Sequence, residues 1–100
     1  MNTFSALADP IRLDIVETLA VRSRSVNELV GMFDVSQPAI SRHLRVLREA
    51  GLVSVMPVGQ SRVYRLDPAP LREIDAWLER YRDFWSSRLD ALEHHLEKDS

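Results

Sequence analysis

The side chains best suited to recognise a ligand in this 100-residue chain are the Gln, Ser and Arg side chains between positions 36 and 45. An arginine can donate two hydrogen bonds to O6 and N7 of guanine, and a glutamine can bond in a bidentate way to adenine. Ser36 and the start of the helix that follows it are suited to bind a phosphate group. The pattern therefore predicts a surface that binds double-stranded DNA. Its candidate residues are Ser36, Gln37, Ser41, Arg42 and Arg45.

The distribution of charge along the chain supports such a surface, although the net charge is −2. Residues 36–65 carry five arginines against one glutamate, a net charge of +4. The segments on either side are acidic, with net charges of −2 for residues 1–35 and −4 for residues 66–100. Because affinity for phosphate depends on where the positive charge lies, the local excess matters more than the total. The alternative interpretation of these arginines is a solvated helix face that contacts nothing.

The candidate residues are predicted to lie on the second helix of a helix-turn-helix that covers residues 25–50. Ser25 and Glu28 have the spacing of a capping box, in which each side chain accepts a hydrogen bond from the other residue's backbone N–H. Ser36 can cap the second helix in the same way, by accepting from free backbone N–H groups. Gly51 can adopt the left-handed conformation that commonly ends a helix. These signals together predict two short helices separated by a tight break.

The second helix is expected to have one apolar face and one polar face. Ile40, Leu44 and Leu47 share a stripe at helical spacing, so they should pack on the core and leave the polar side chains exposed. Two further helices are expected earlier in the chain, over residues 2–8 and 10–21, with a polar link between the later one and the helix-turn-helix.

A β-hairpin is predicted directly after the helix-turn-helix, over residues 52–66, because two runs of apolar and β-branched residues flank a Gly-Gln pair. Gly59 permits the positive φ that a tight turn needs. Gln60, Ser61 and Arg62, near the tip, can reach phosphate or the adjacent minor groove, and the alternative is an ordinary polar turn. A hairpin in this position predicts a mainly α fold with a β-hairpin wing, a winged helix-turn-helix in a single domain over residues 1–100.

The last helix, expected over residues 71–96, is longer than a domain of this size needs. Its apolar residues recur every three or four positions, which makes one stripe about seven turns long. A small domain cannot cover such a stripe, so the pattern predicts a homodimer. The alternative is a helix that folds back on its own domain. The residues predicted to form the dimer interface are Leu71, Ile74, Leu78, Tyr81, Trp85, Leu89 and Leu92.

Three runs of the sequence form a set of motifs, and the resemblance that they carry covers nearly the whole chain: Phe4–Arg12, Ser36–Val53 and Gly59–Leu66. In this order they resemble the ArsR/SmtB family of bacterial repressors. The resemblance implies a winged helix-turn-helix that dimerises through its terminal helices and binds an inverted-repeat operator. The DNA contacts that it implies are Gln37, Ser41 and Arg42, with His43 at their edge.

The resemblance does not extend to the metal-binding motifs of the family. Metal-sensing members carry Cys-x-Cys at the positions of Ser25 and Asn27, and this chain contains no cysteine. A second family site combines Asp-x-His with His-x-x-Glu on paired C-terminal helices, and the chain keeps only part of it. The remaining candidates for a zinc site are Asp83, His94 and Glu97. A solvated helix end is the alternative interpretation, and we predict no resident metal or cofactor.

These features together predict a sequence-specific regulator of transcription, a repressor that binds double-stranded DNA as a homodimer. The alternative is a winged-helix module that binds another protein, which would leave the basic helix without an evident role. An enzyme is not expected, because the chain has no Gly-rich phosphate loop, no nucleophile motif and no clustered carboxylates. No run approaches the roughly 18 apolar residues that span a bilayer, and no signal peptide is evident, so we expect a cytoplasmic protein. The sequence does not indicate the effector.

Overall fold

The computed structural model describes residues 2–98, and in that range the five helices and the two strands of the hairpin follow the predicted order, with one further short strand before the third helix. Met1, Asp99 and Ser100, at the ends of the predicted domain, lie outside the described residues. The helices are α1 (Thr3–Leu7), α2 (Pro10–Val21), α3 (Val26–Met32), α4 (Gln37–Glu49) and α5 (Ala69–Lys98). The strands are β1 (Arg24–Ser25), β2 (Val53–Val58) and β3 (Ser61–Leu66).

Local capping residues set where the helices of the helix-turn-helix begin and end. Ser25 begins α3 through a complete capping box with Glu28, and Ser36 begins α4 by accepting a hydrogen bond from the backbone. Asp9 caps α2 in the same manner. Gly51, with a φ of 76°, ends α4 in the left-handed conformation that only glycine adopts without strain. The helix that carries the candidate DNA contacts is therefore delimited at both ends by its own sequence.

The three strands form an antiparallel sheet in the order β1-β3-β2. The hairpin of β2 and β3 closes where Val58 pairs with Ser61, and Gly59 has a φ of 61° in the turn. Pro57 is tolerated because β2 is an edge strand. The predicted polar link after α2 is wrong at its last residue, since Arg24 pairs with Tyr64 and adds a third strand to the sheet.

The hydrophobic core lies beneath α4 and is built from the first four helices and the hairpin. Ile40, Leu44 and Leu47 are buried, which confirms the predicted apolar face of α4. The other buried residues are Ala6, Ile15, Val16, Leu19, Leu29, Leu52, Val53 and Tyr64. A mainly α fold with a β-hairpin wing is thus confirmed.

Helix α5 extends away from this core. None of its 30 residues is buried, and the molecule is 60 Å long but only 28 and 24 Å across. A helix of that length spans about 45 Å at 1.5 Å per residue, so α5 accounts for most of the long axis. In the range 2–98, no helix combines the length and the apolar character needed to cross a membrane.

Candidate nucleic-acid interface

A polar groove of about 370 Å³ lies between α4 and the β2–β3 hairpin, which we call the wing. Amide, hydroxyl and guanidinium groups line both of its sides, so it offers donors and acceptors as well as positive charge. From α4 the lining residues are Gln37, Ser41, Arg45 and Arg48; from the wing, Gln60, Ser61, Arg62 and Tyr64; from the start of α3, Ser25, Val26 and Asn27.

The helical repeat directs one polar flank of α4 towards the wing. At about 100° per residue, Gln37, Ser41, Arg45 and Arg48 fall within one sector beside the buried stripe. Because that stripe is anchored in the core through residues such as Leu44, the flank beside it has a fixed orientation. The groove residues of α4 are therefore positioned by packing beneath them, and not by contacts among themselves.

The wing presents its polar residues through the alternation of β3. Arg62 and Tyr64 are two residues apart, so they point to the same side of the strand. Tyr64 is buried against the core and also lines the groove, which places Arg62 over the groove as well. Arg65 lies on the other side, where its Nε donates to Ser54 Oγ at 3.0 Å.

The positive charge of the groove has no neutralising partner in the part of the chain that the structure describes. Over residues 2–98, no carboxylate comes within 4.0 Å of Arg45, Arg48 or Arg62. Glu28, close to the groove, accepts hydrogen bonds from the Ser25 N–H at 3.1 Å and from Arg22 at 2.9 Å, and these interactions hold its pKa below the ordinary value. The groove therefore attracts anions such as phosphate.

The groove collects some of the predicted DNA contacts and excludes others. The predicted residues that line it together are Gln37, Ser41, Arg45, Gln60, Ser61 and Arg62. The remaining three predicted residues, all outside the lining, are Ser36, Arg42 and His43.

Each excluded residue has a definite position. Ser36 uses its hydroxyl to accept from the Ala39 N–H at 3.3 Å as the cap of α4. Arg42 is exposed on the outer face of the same helix. His43 is directed towards α2, where its side chain is only 19% exposed and its Nδ1 lies 4.0 Å from Asp9 Oδ1.

Five residues of the groove were not among the predicted contacts: Ser25, Val26, Asn27, Arg48 and Tyr64. Arg48 could have been found, because it follows Arg45 by three positions and so shares its flank of the helix. Asn27 gave no such signal, since it reaches the groove only through the packing of α3 beside α4.

The comparisons with known proteins agree with this architecture. The family described as "Bacterial regulatory protein, arsR family" matches residues 9–55, which include the whole helix-turn-helix. An HTH-type transcriptional regulator of Mycobacterium tuberculosis, Rv2034, is 45% identical over 88 residues, which are 88% of this chain and 79% of that protein. The chain belongs to the arsR family.

Further relatives support the assignment. The arsenical resistance operon repressor of Escherichia coli is 42% identical over 84 residues, covering 83% of this chain and 68% of the repressor. The solved structure of an ArsR-like transcriptional regulator from Rhodococcus sp. RHA1 superposes with a TM-score of 0.73 at 35% identity, covering 91% of this chain and 86% of that one. This arsR-family chain is therefore a DNA-binding transcriptional regulator and not an enzyme. The alternative of a protein-binding module has no support among these relatives.

The candidate zinc ligands of this arsR-family chain do not come together within one subunit. Over residues 2–98, no group of three or more His, Cys, Asp or Glu side chains is arranged to hold a metal ion. Asp83 and His94 both lie on α5, where eleven residues correspond to about 16 Å. These positions therefore do not meet within one chain, and a zinc site shared between the C-terminal helices of two subunits, with Asp83, His94 and Glu97 as its candidates, stays a prediction. Ser25, at a cysteine position of metal-sensing members, is occupied as a helix cap.

The predicted dimer residues form an apolar face along α5. Leu71 and Ile74, in its first two turns, are partly buried against the domain. The other five of the seven predicted residues are exposed, namely Leu78, Tyr81, Trp85, Leu89 and Leu92. Trp77 also contacts Phe4 of α1, with ring centroids 6.1 Å apart in an edge-to-face arrangement.

Proposed function

We propose that this protein represses transcription by binding an inverted-repeat operator as a symmetric homodimer, with the groove between α4 and the wing as its DNA contact. The observation that carries the proposal is the cluster of arginines in that groove, which no carboxylate of residues 2–98 approaches within 4.0 Å, beside amide and hydroxyl groups. Arginine and glutamine are the side chains best suited to the major-groove edges of guanine and adenine.

The proposed contacts divide between bases and phosphates. Gln37 and Ser41, in the first half of α4, and the exposed Arg42 have the side-chain types that recognise base edges. Arg62 on the wing is suited to phosphate or to the narrow minor groove beside it. Contacts of both kinds are needed, because phosphate contacts fix the register of the protein while base contacts select the sequence.

The proposed dimer rests on the exposed face of α5. Trp85 is 48% exposed and Leu89 is 63% exposed, and both lie in the part of the stripe from Leu78 onwards, where the apolar side chains are exposed. Apolar patches of this extent on a small domain are typically interfaces. A twofold axis along α5 would present two copies of α4 to successive major grooves, about 34 Å apart.

The salt dependence of DNA binding tests this proposal. Each subunit offers Arg42, Arg45, Arg48 and Arg62, so a dimer offers eight guanidinium groups. If each neutralises one phosphate, the slope of log K against log salt reaches about −7, and it is shallower if some contact bases.

The measurement is fluorescence anisotropy with a DNA fragment that the protein enriches from a random-sequence library. Arg45→Ala should make the slope shallower by about 2 per dimer, or abolish a preference at one base position in each half-site. Arg82→Ala is the matched control, because Arg82 forms only an exposed ion pair with Glu79 on α5. A wild-type protein that enriches no sequence, or whose affinity does not change with salt, would contradict the proposal.

A further inference from the structure

Arg12 of α2 contacts His43 of α4, so the two side chains join α2 to the helix that we propose contacts DNA. Arg12 Nη1 lies 3.4 Å from His43 Nδ1. A guanidinium group can only donate hydrogen bonds, so His43 Nδ1 is the acceptor and the ring carries its proton on Nε2. The side chain of His43 is 19% exposed, and its contact with α2 is on the flank of α4 that faces away from the groove.

The Arg12 side chain also donates hydrogen bonds to two backbone carbonyls of α1. Its Nε donates to the Ala6 carbonyl at 2.6 Å and its Nη2 donates to the Ser5 carbonyl at 3.2 Å. Both carbonyls lie in the last turn of α1, and that of Ser5 also accepts a hydrogen bond from the Ala8 N–H at 3.2 Å. The backbone N–H of Arg12 donates to Asp9 Oδ1 at 3.1 Å. One side chain therefore connects α1, α2 and α4.

Helix α1 continues this connection to α5. Phe4 of α1 packs edge-to-face on Trp77 of α5, with ring centroids 6.1 Å apart. A chain of direct contacts thus runs from Trp77 through Phe4 and the end of α1 to Arg12, and from Arg12 to α4.

We propose that Arg12 is a positioning residue for DNA binding, which acts by holding His43 and so fixes the rotation of α4 relative to α1 and α5. The inference rests on the proposed function, since it assumes that the groove flank of α4 contacts DNA. His43 and the groove residues lie on opposite flanks of α4, so fixing the position of His43 also fixes the direction in which the groove residues point. A rotation of about 10° moves a side-chain tip about 6 Å from the helix axis by about 1 Å. That displacement is enough to break a hydrogen bond to a base edge.

The test uses variants that remove the contact from either side. Arg12→Met keeps much of the side-chain length but has no donor, and His43→Phe keeps a ring but has no acceptor. Each should weaken binding of the enriched DNA fragment about tenfold. The double variant should bind no more weakly than Arg12→Met alone, because Arg12→Met already removes the contact with His43. Arg82→Met, which removes one positive charge from α5, should bind within twofold of the wild type.

Two measurements distinguish a positioning role of Arg12 and His43 from a direct contact with DNA. His43→Asn carries an oxygen near the position of Nδ1, so it should restore binding to within about threefold of the wild type. The salt slope should be unchanged in Arg12→Met and His43→Phe, because neither side chain contacts phosphate in this proposal. Should Arg12→Met fail to fold, His43→Phe and His43→Asn still test the contact, because they leave Arg12 bonded to α1.

Distinct outcomes overturn the inference. Equal affinity of the wild type, Arg12→Met and His43→Phe would overturn it, as would additive losses in the double variant or a failure of His43→Asn to restore binding. A salt slope made shallower in His43→Phe would instead make His43 a phosphate contact. A wild-type protein that enriches no DNA is a different result, which contradicts the proposed function itself.

Discussion

Replacement of Asp9 by alanine tests whether a single N-cap stabilises α2, the helix that packs against α4. Asp9 Oδ1 accepts hydrogen bonds from the N–H groups of Ile11 at 2.8 Å and of Arg12 at 3.1 Å. Loss of an N-cap of this kind costs about 0.5–2 kcal/mol, so we expect Asp9→Ala to lower the free energy of unfolding by about 1 kcal/mol at pH 7. For a chain of this size that corresponds to a melting temperature lower by about 4–8 °C.

The contribution of Asp9 should depend on pH in a definite direction. The backbone hydrogen bond from Arg12 is the main cause that lowers the pKa of Asp9 below its ordinary value of 3.8, and a second backbone hydrogen bond from Ile11 and the positive charge of Arg12 add to it. A carboxyl whose pKa is lowered in the folded state stabilises the fold above its unfolded pKa and loses that contribution as the pH falls through the folded value. The difference between wild type and Asp9→Ala should therefore be full at pH 7 and shrink below about pH 4.

Urea unfolding followed by circular dichroism, at one fixed protein concentration, measures both effects. Asp9→Asn is the matched control, because its amide oxygen can still cap α2 but does not titrate. It should be nearly as stable as the wild type at pH 7, and its difference from Asp9→Ala should persist in acid. The reasoning is refuted if Asp9→Ala unfolds at the wild-type urea concentration at pH 7, or if its deficit grows as the pH falls.

Three further predictions concern the core, the wing and the last helix. Leu44→Ala should lower the free energy of unfolding by about 2–5 kcal/mol in urea titrations, since Leu44 is only 1% exposed beneath α4; a loss below 1 kcal/mol would mean that α4 is not anchored there. Arg62→Ala should make the salt slope of DNA binding shallower by about 2 per dimer in anisotropy titrations, and an unchanged slope would remove the wing from the interface. Leu89→Asp should convert a dimer to a monomer in sedimentation velocity at micromolar concentration while the circular dichroism spectrum stays helical. A Leu89→Asp protein that sediments as a dimer would exclude this part of α5 from the contact.

The helices of the DNA-binding region could be predicted from sequence because their signals are local. The capping box of Ser25 and Glu28, the cap at Ser36 and the glycine stop at Gly51 each act within four residues, so no knowledge of the fold is needed to recognise them. Strand β1 could not be found in this way. It contains only two residues, and it exists because Arg24 pairs with Tyr64 forty positions later in the chain.

The groove was only partly predictable, for a related reason. The residue types on α4 indicated a DNA-binding surface, and the alternation of β3 was sufficient to direct Arg62 and Tyr64 to one side of the wing. Which flank of α4 faces the wing depends on how two separate elements pack, and no local pattern contains that information. Asn27 joins the groove on the same condition.

His43 shows how a family motif and helical geometry can point in different directions. The motif implied that it lies beside Ser41 and Arg42 at the edge of the DNA contact. Taken at about 100° per residue from the buried Ile40, however, Ser41 lies about 100° to one side of the core direction and His43 about 60° to the other. The first of these directions faces the wing and the second faces α2, where Arg12 and Asp9 meet the ring. Two residues separated by one position thus face different parts of the molecule, Ser41 the groove that we propose contacts DNA and His43 the helix that we propose fixes the rotation of α4.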